Sequence, residues 1–195
     1  MSDVPETPER FFTEYLPTRF AHVKASLAGK SSCGSMTFRV SGGGEWSLRL
    51  ENGDLFIEPG TREDVIVQVT IGPEDFVPVF VQGARLQEQE APRPEAQIMA
   101  FRALTIDDER AKLVRGVQGT VAFVVTDGEH KRTLAITPGK GVPNLDAPDC
   151  KLECQMSDFL DMQTGKQQPV QLAMSGKIRI VGNAQIPMAL SSVFA

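Results

Sequence analysis

The chain is poor in the residues that build disulfide frameworks, metal sites and acid–base centres. Of its 195 residues, three are cysteine and two are histidine. A small, odd cysteine count supports no disulfide framework. Cys150 and Cys154 are four apart, and a strand would hold them about 13 Å from each other, too far for one ion. His22 and His130 stand at no zinc-ligand spacing from them. No apolar run approaches the roughly 20 residues of a membrane span. Acidic and basic side chains throughout the first thirty residues speak against a secretory signal. The net charge of -5 argues against nucleic acid as a partner and against strong attraction to anionic membranes. The expectation is a cytoplasmic protein without a cofactor, making at most transient membrane contact.

What is present fits a globular α+β chain, with 41% apolar and 23% charged residues. That length suits one large domain or two small ones. The order of motifs favours an internal repeat. Gly34–Val40 lies over Gly119–Val125 at an offset of 85, and Glu45–Leu50 over Lys131–Ile136 at 86. Glu74-Asp75-Phe76 lies over Ser157-Asp158-Phe159 at 83, and Pro94 and Met99 over Pro169 and Met174 at 75. This predicts one unit over 5–115 and a second over 116–195, with a helix at about 107–116 serving both. Arg102–Ile106 is then the last strand of the first unit. The linker-like stretch Gln87–Glu95 falls inside that unit, so the two form a closely joined pair.

Local patterns supply the elements. Thr7-Pro8 starts a helix whose Leu16, Phe20, Val23 and Leu27 share a face, with Pro17 interrupting or restarting it. Trp46, Leu48 and Leu50 alternate with polar residues, and Asn52-Gly53 is a hairpin turn. Val65, Val67, Val69 and Ile71 line one face of a strand. Gly72-Pro73-Glu74-Asp75 begins a helix whose carboxylates suit its dipole and whose apolar face is Phe76, Val79 and Phe80. In the second half, Val121, Phe123 and Val125 share a face, Asp127-Gly128 turns the chain, and Leu134 and Ile136 continue the apolar side. Cys150, Leu152, Cys154 and Met156 alternate with Lys151, Glu153 and Gln155. Ser157 caps a helix carrying Phe159, Leu160 and Met162. Ile178 and Ile180 alternate with Lys177 and Arg179, Gly182-Asn183 ends that strand, and Ile186, Ala189, Leu190 and Val193 recur at helical spacing, with Pro187 kinking that helix or marking its start.

No reactive constellation emerges. Gly42-Gly43-Gly44 and Gly139-Lys140-Gly141 complete no phosphate loop and read as hairpin connections. Asp107-Asp108-Glu109 and the Asp158/Asp161 pair suit helix starts better than acid–base chemistry. His130 is a solvated turn residue. Phe76, Phe80, Phe159, Met162, Met174, Met188 and Phe194 fit a packed core more readily than an adaptable apolar cavity, although both are apolar and inward-facing and pattern alone does not separate them.

Ser157-Asp158-Phe159, Thr164-Gly165-Lys166, Pro169 and Met174-Ser175-Gly176-Lys177, followed by Gly182-Asn183, together resemble the sterol carrier protein 2 family. The resemblance is best over Gly119–Phe194. It implies a sterol-carrier-like mixed sheet covered by helices, present as two fused repeats. It implies non-catalytic binding or transfer of a lipid, sterol or fatty acyl chain, acyl-CoA included, in an apolar cavity. The implied cavity residues are Phe123, Leu134, Ile136, Phe159, Leu160, Met162, Leu172, Met174, Ile178, Ile180, Ile186, Leu190 and Phe194, with Trp46, Leu48, Phe76 and Phe80 as first-unit counterparts. Lys166, Lys177 or Arg179 would steer an acidic head group. In the first unit Met99-Ala100-Phe101-Arg102 replaces the Met-Ser-Gly-Lys motif, so cavity function is expected mainly in the second. The alternatives are a protein-interaction or scaffold module without a working cavity, and an enzyme acting on a lipid-like substrate. A homodimer stays open.

Overall fold

The computed structural model describes residues 4–89 and 101–194, leaving aside the side chains of 102, 103 and 192–194. Its strands are β1 (Ser35–Val40), β2 (Gly44–Glu51), β3 (Asp54–Pro59), β4 (Val65–Ile71), β5 (Val121–Asp127), β6 (His130–Pro138), β7 (Cys150–Gln155) and β8 (Arg179–Gly182). They form one mixed sheet in the order β3-β2-β1-β4-β6-β5-β7-β8. β1 pairs antiparallel with β2 and parallel with β4. β5 likewise pairs antiparallel with β6 and parallel with β7. The two halves meet where β4 pairs antiparallel with β6, from Val67↔Pro138 to Ile71↔Leu134.

Alternation sends one apolar face of this sheet towards the helices. Pro8–Arg10, Phe11–Tyr15 and Leu16–Val23 run on as one helix, α1, closed by a 3-10 turn at Lys24–Leu27. Pro17 does not interrupt it. Its missing N–H is absorbed by a wide π turn, in which Leu16 N–H bonds Phe11 O. Pro73–Phe76, Val77–Val81 and Gln82–Gln89 form α2 in the same way, with Pro78 inside a second π turn. Phe12 of α1 stacks on Trp46 at 4.7 Å and meets Phe38 at 5.1 Å, while Phe80 of α2 meets Phe38 at 5.8 Å. This aromatic packing fills much of the first half.

The remaining helices are α3 (Asp108–Gly116), α4 (Met156–Gln163), α5 (Pro169–Met174) and α6 (Gln185–Phe194). Asp107 caps α3 by accepting from Arg110 N–H, as expected for its acidic start. Asn52 and Gly53 both have positive φ, 50° and 84°, the backbone that the tight hairpin turn demands.

Several local expectations are corrected. Arg102–Thr105 is a 3-10 turn, whereas a strand was expected over Arg102–Ile106. β6 already occupies the edge of β4, and Phe101 is buried against Phe20 with rings 5.2 Å apart, which draws the segment towards α1. The second hairpin is displaced by two residues from the sequence match. Phe38 faces Trp46, whereas Phe123 faces Leu134, so Leu134 takes the place assigned to Arg132. A shift of two keeps every side chain on its face. Gly139-Lys140-Gly141 is not a hairpin but opens the long 139–149 connection, where Gln68 Nε2 donates to Gly139 O and Gly141 O. α4 begins at Met156 after Gln155, so Ser157 is helical and makes no cap bond. Pro187 lies in the first turn of α6, where its lost N–H costs nothing. Gln87–Gln89 of the expected linker continue α2. The rest of that linker, Pro94 included, lies outside the described residues, as do Met99 and Ala100 beyond it.

Candidate functional site

The second-half motifs act on the backbone. Thr164-Gly165-Lys166 closes α4: Gly165 has φ +70°, its N–H bonds Met162 O, and Lys166 N–H bonds Asp161 O. Ser175-Gly176-Lys177 closes α5 similarly, with Gly176 at φ +73° and Lys177 N–H on Leu172 O. Gly182, at φ +99°, sits so close to Asp149 that a Cβ would lie 2.4 Å from its carbonyl oxygen. Asp149 was not foreseen, because its partners are distant in sequence. Its carboxylate accepts Thr120 N–H at 2.7 Å and its carbonyl accepts Asn183 N–H at 2.9 Å. It thereby ties the starts of β5 and α6 to the end of β8.

On these supports, α4 lays Phe159 over Phe123 of β5, edge to face at 5.7 Å. Leu134, Leu172, Ile178, Ile186 and Leu190 are buried, while Phe123, Ile136, Leu160 and Met162 are half-buried against the same core. Trp46, Leu48 and Phe76 are buried and Phe80 half-buried in the first half. Two expected lining residues are exposed, Met174 at 85% and Ile180 at 41%. α5 turns Met174 outward as Leu172 goes in, whereas Ile180 shares the face of Leu152 and Phe123 but lies on β8, the sheet's edge strand. Met188 also faces solvent at 66%. The side chain of Phe194 lies outside the described residues.

The basic residues are engaged locally. Lys177 Nζ is 2.9 Å from Asp158 Oδ1, Arg179 is 3.5 Å from Glu153, and Lys166 is 4.0 Å from Asp161. A head group would have to compete with these carboxylates. Asp158 and Asp161 are thereby paired with lysines and do not form a dyad. Burial raises the Cys150 thiol and lifts Cys154 to about 11. Cys33 is also raised, by burial first and then by its hydrogen bond with Asp108. All three thiols are thus held protonated, the opposite of an activated nucleophile. Among the described residues no group of three or more His, Cys, Asp or Glu could hold a metal ion, and no helix is long and apolar enough to cross a membrane.

Residues 100–195 match the model of the SCP-2 sterol transfer family. This stretch belongs to that family. Sterol carrier protein 2 of Bos taurus is 29% identical over 167 residues, and that of Oryctolagus cuniculus 33% over 170. Each alignment covers 76% of this chain and 31% of the relative. The chain therefore spans about a third of the length of these curated relatives, and the alignments reach into residues before the sterol-transfer stretch. Among solved structures, sterol carrier protein domain 2 of Helicoverpa armigera is 27% identical, with a TM-score of 0.38, covering 63% of this chain and 88% of that one. Sterol carrier protein 2 of Aedes aegypti, solved in complex with the C16 fatty acid palmitate, is 17% identical with a TM-score of 0.35, covering 50% and 87%. The turns at Gly165, Gly176 and Gly182 lie within the sterol-transfer stretch.

Proposed function

We propose that this chain binds or transfers a lipid, an acyl chain or a sterol, in apolar space between its sheet and helices, without catalysing a reaction. The observation that carries this reading is the family match over 100–195. The half-buried apolar face formed by Phe123, Ile136, Leu160 and Met162 supports it. Burying about ten methylenes yields roughly 8 kcal/mol gross at ~0.8 kcal/mol each, from which ordering and association costs are subtracted. The two halves are two units of one ancestral pattern sharing α3, with dividing lines near 115 and 116. A second reading, a scaffold role for the first half, is favoured by the aromatic packing of Phe12, Phe38, Trp46 and Phe80 on one another. Titration with a fluorescent fatty acid, competed by palmitate or cholesterol, tests the proposal. Saturable binding is expected; a folded sample showing none overturns it.

A further inference from the structure

A half-buried apolar side chain on the covered face of an interior strand is incompletely covered by the helices packed on it. Phe38 of β1, Ile136 of β6 and Phe123 of β5 are all in this position, and none of these strands lies at an edge. The registers Phe38↔Val69↔Ile136 and Leu134↔Phe123 put them on one face across the β4–β6 seam. Phe38 to Phe123 is three strand spacings across the sheet and two residues along it, roughly 16 Å. From the helices, Phe80 of α2 and Leu160 of α4 are half-buried in the same way.

These two helices meet directly. Gln163 Nε2 donates to Val79 O at 3.0 Å, and Gln87 Nε2 donates to Gln163 O at 2.7 Å. Gly83 makes the approach possible, since a Cβ there would sit 2.0 Å from Gln163 Oε1. Val79, Gly83 and Gln87 are four apart and form one stripe of α2. The roof of the seam therefore comes from both halves, as its floor does.

We infer that the apolar site is a single one at the seam, lined by Phe38 and Phe80 of the first half and by Phe123, Ile136 and Leu160 of the second. It takes one acyl chain. Val69 and Leu134, which lie between the half-buried residues, are themselves buried, so the free space is narrow and suits a methylene chain better than fused rings. This inference rests on the lipid-binding reading above. Photolabelling of the full wild-type chain with a diazirine-bearing hexadecanoic acid, competed by unlabelled hexadecanoic acid, tests it without any substitution. Competed label is expected both in residues 35–40 or 77–81 and in residues 121–136 or 156–163. Label confined to one half overturns the shared site while leaving lipid binding intact. Absence of any competed label overturns both.

Discussion

Asp75 and Arg132 bind the two halves to each other through a part-buried ion pair. Asp75, in the first turn of α2, accepts from Arg132 Nη1 at 3.3 Å and from the backbone N–H of Thr133 at 2.9 Å. Both partners lie on β6, beyond the midpoint of the chain. Removing Arg132 leaves the buried Asp75 carboxylate with the Thr133 N–H alone, at a cost of about 1–3 kcal/mol. Arg132→Ala is expected to lose that much in urea denaturation. Asp75→Asn loses less, because its amide oxygen still accepts from Thr133. A loss below about 1 kcal/mol for Arg132→Ala would show that the pair does not join the halves.

Gly182 is expected to tolerate no side chain. Its φ of +99° and the backbone oxygen of Asp149, 2.4 Å from a built Cβ, penalise alanine twice, and strain of this kind costs on the order of 1–3 kcal/mol. Gly182→Ala should lower the midpoint of thermal unfolding by several degrees. Gly42→Ala, which also has positive φ but nothing within 4 Å of its Cβ, should lower it less.

Stability should fall at high pH through the thiols. The unfolded chain releases the Cys154 proton near the ordinary thiol value of about 8.5, while the folded chain keeps it until about 11. Raising the pH across that interval therefore favours the unfolded state. The contribution is complete below the unfolded value and is lost as pH rises through the folded one. Cys154→Ala should flatten stability between about pH 9 and 11 in denaturant titrations.

The continuous sheet predicts cooperative unfolding. Trp46, the single tryptophan, lies in the first half, stacked on Phe12. Its fluorescence and far-UV circular dichroism, which reads both halves, should give coincident denaturation curves. Two separated transitions would mean that the β4–β6 pairing does not couple the halves.

Features set by neighbours in the chain were legible in the sequence. Asn52-Gly53, Thr7-Pro8 and Gly72-Pro73 each mark a boundary that the structure places within a residue, because backbone sterics decide them. Strand faces were equally readable from period-two alternation, Val67, Val69 and Ile71 among them, with a register shift setting Val65 apart. Features decided by distant partners were not. Nothing local to Arg102–Ile106 says that β6 already fills the edge of β4, so a strand there looked reasonable. Asp149, Gln163 and the Asp75–Arg132 pair act through contacts 29 to 84 residues away. Met174 looked like a lining residue because the pattern of α5 could not tell which way its last turn faces.

Native mass spectrometry of the purified full chain tests the lipid reading most directly. The account predicts a species heavier by the mass of one fatty acid, either co-purified or appearing after incubation with palmitate, at no more than one per chain. A chain that stays folded and carries no added mass at saturating palmitate would contradict it.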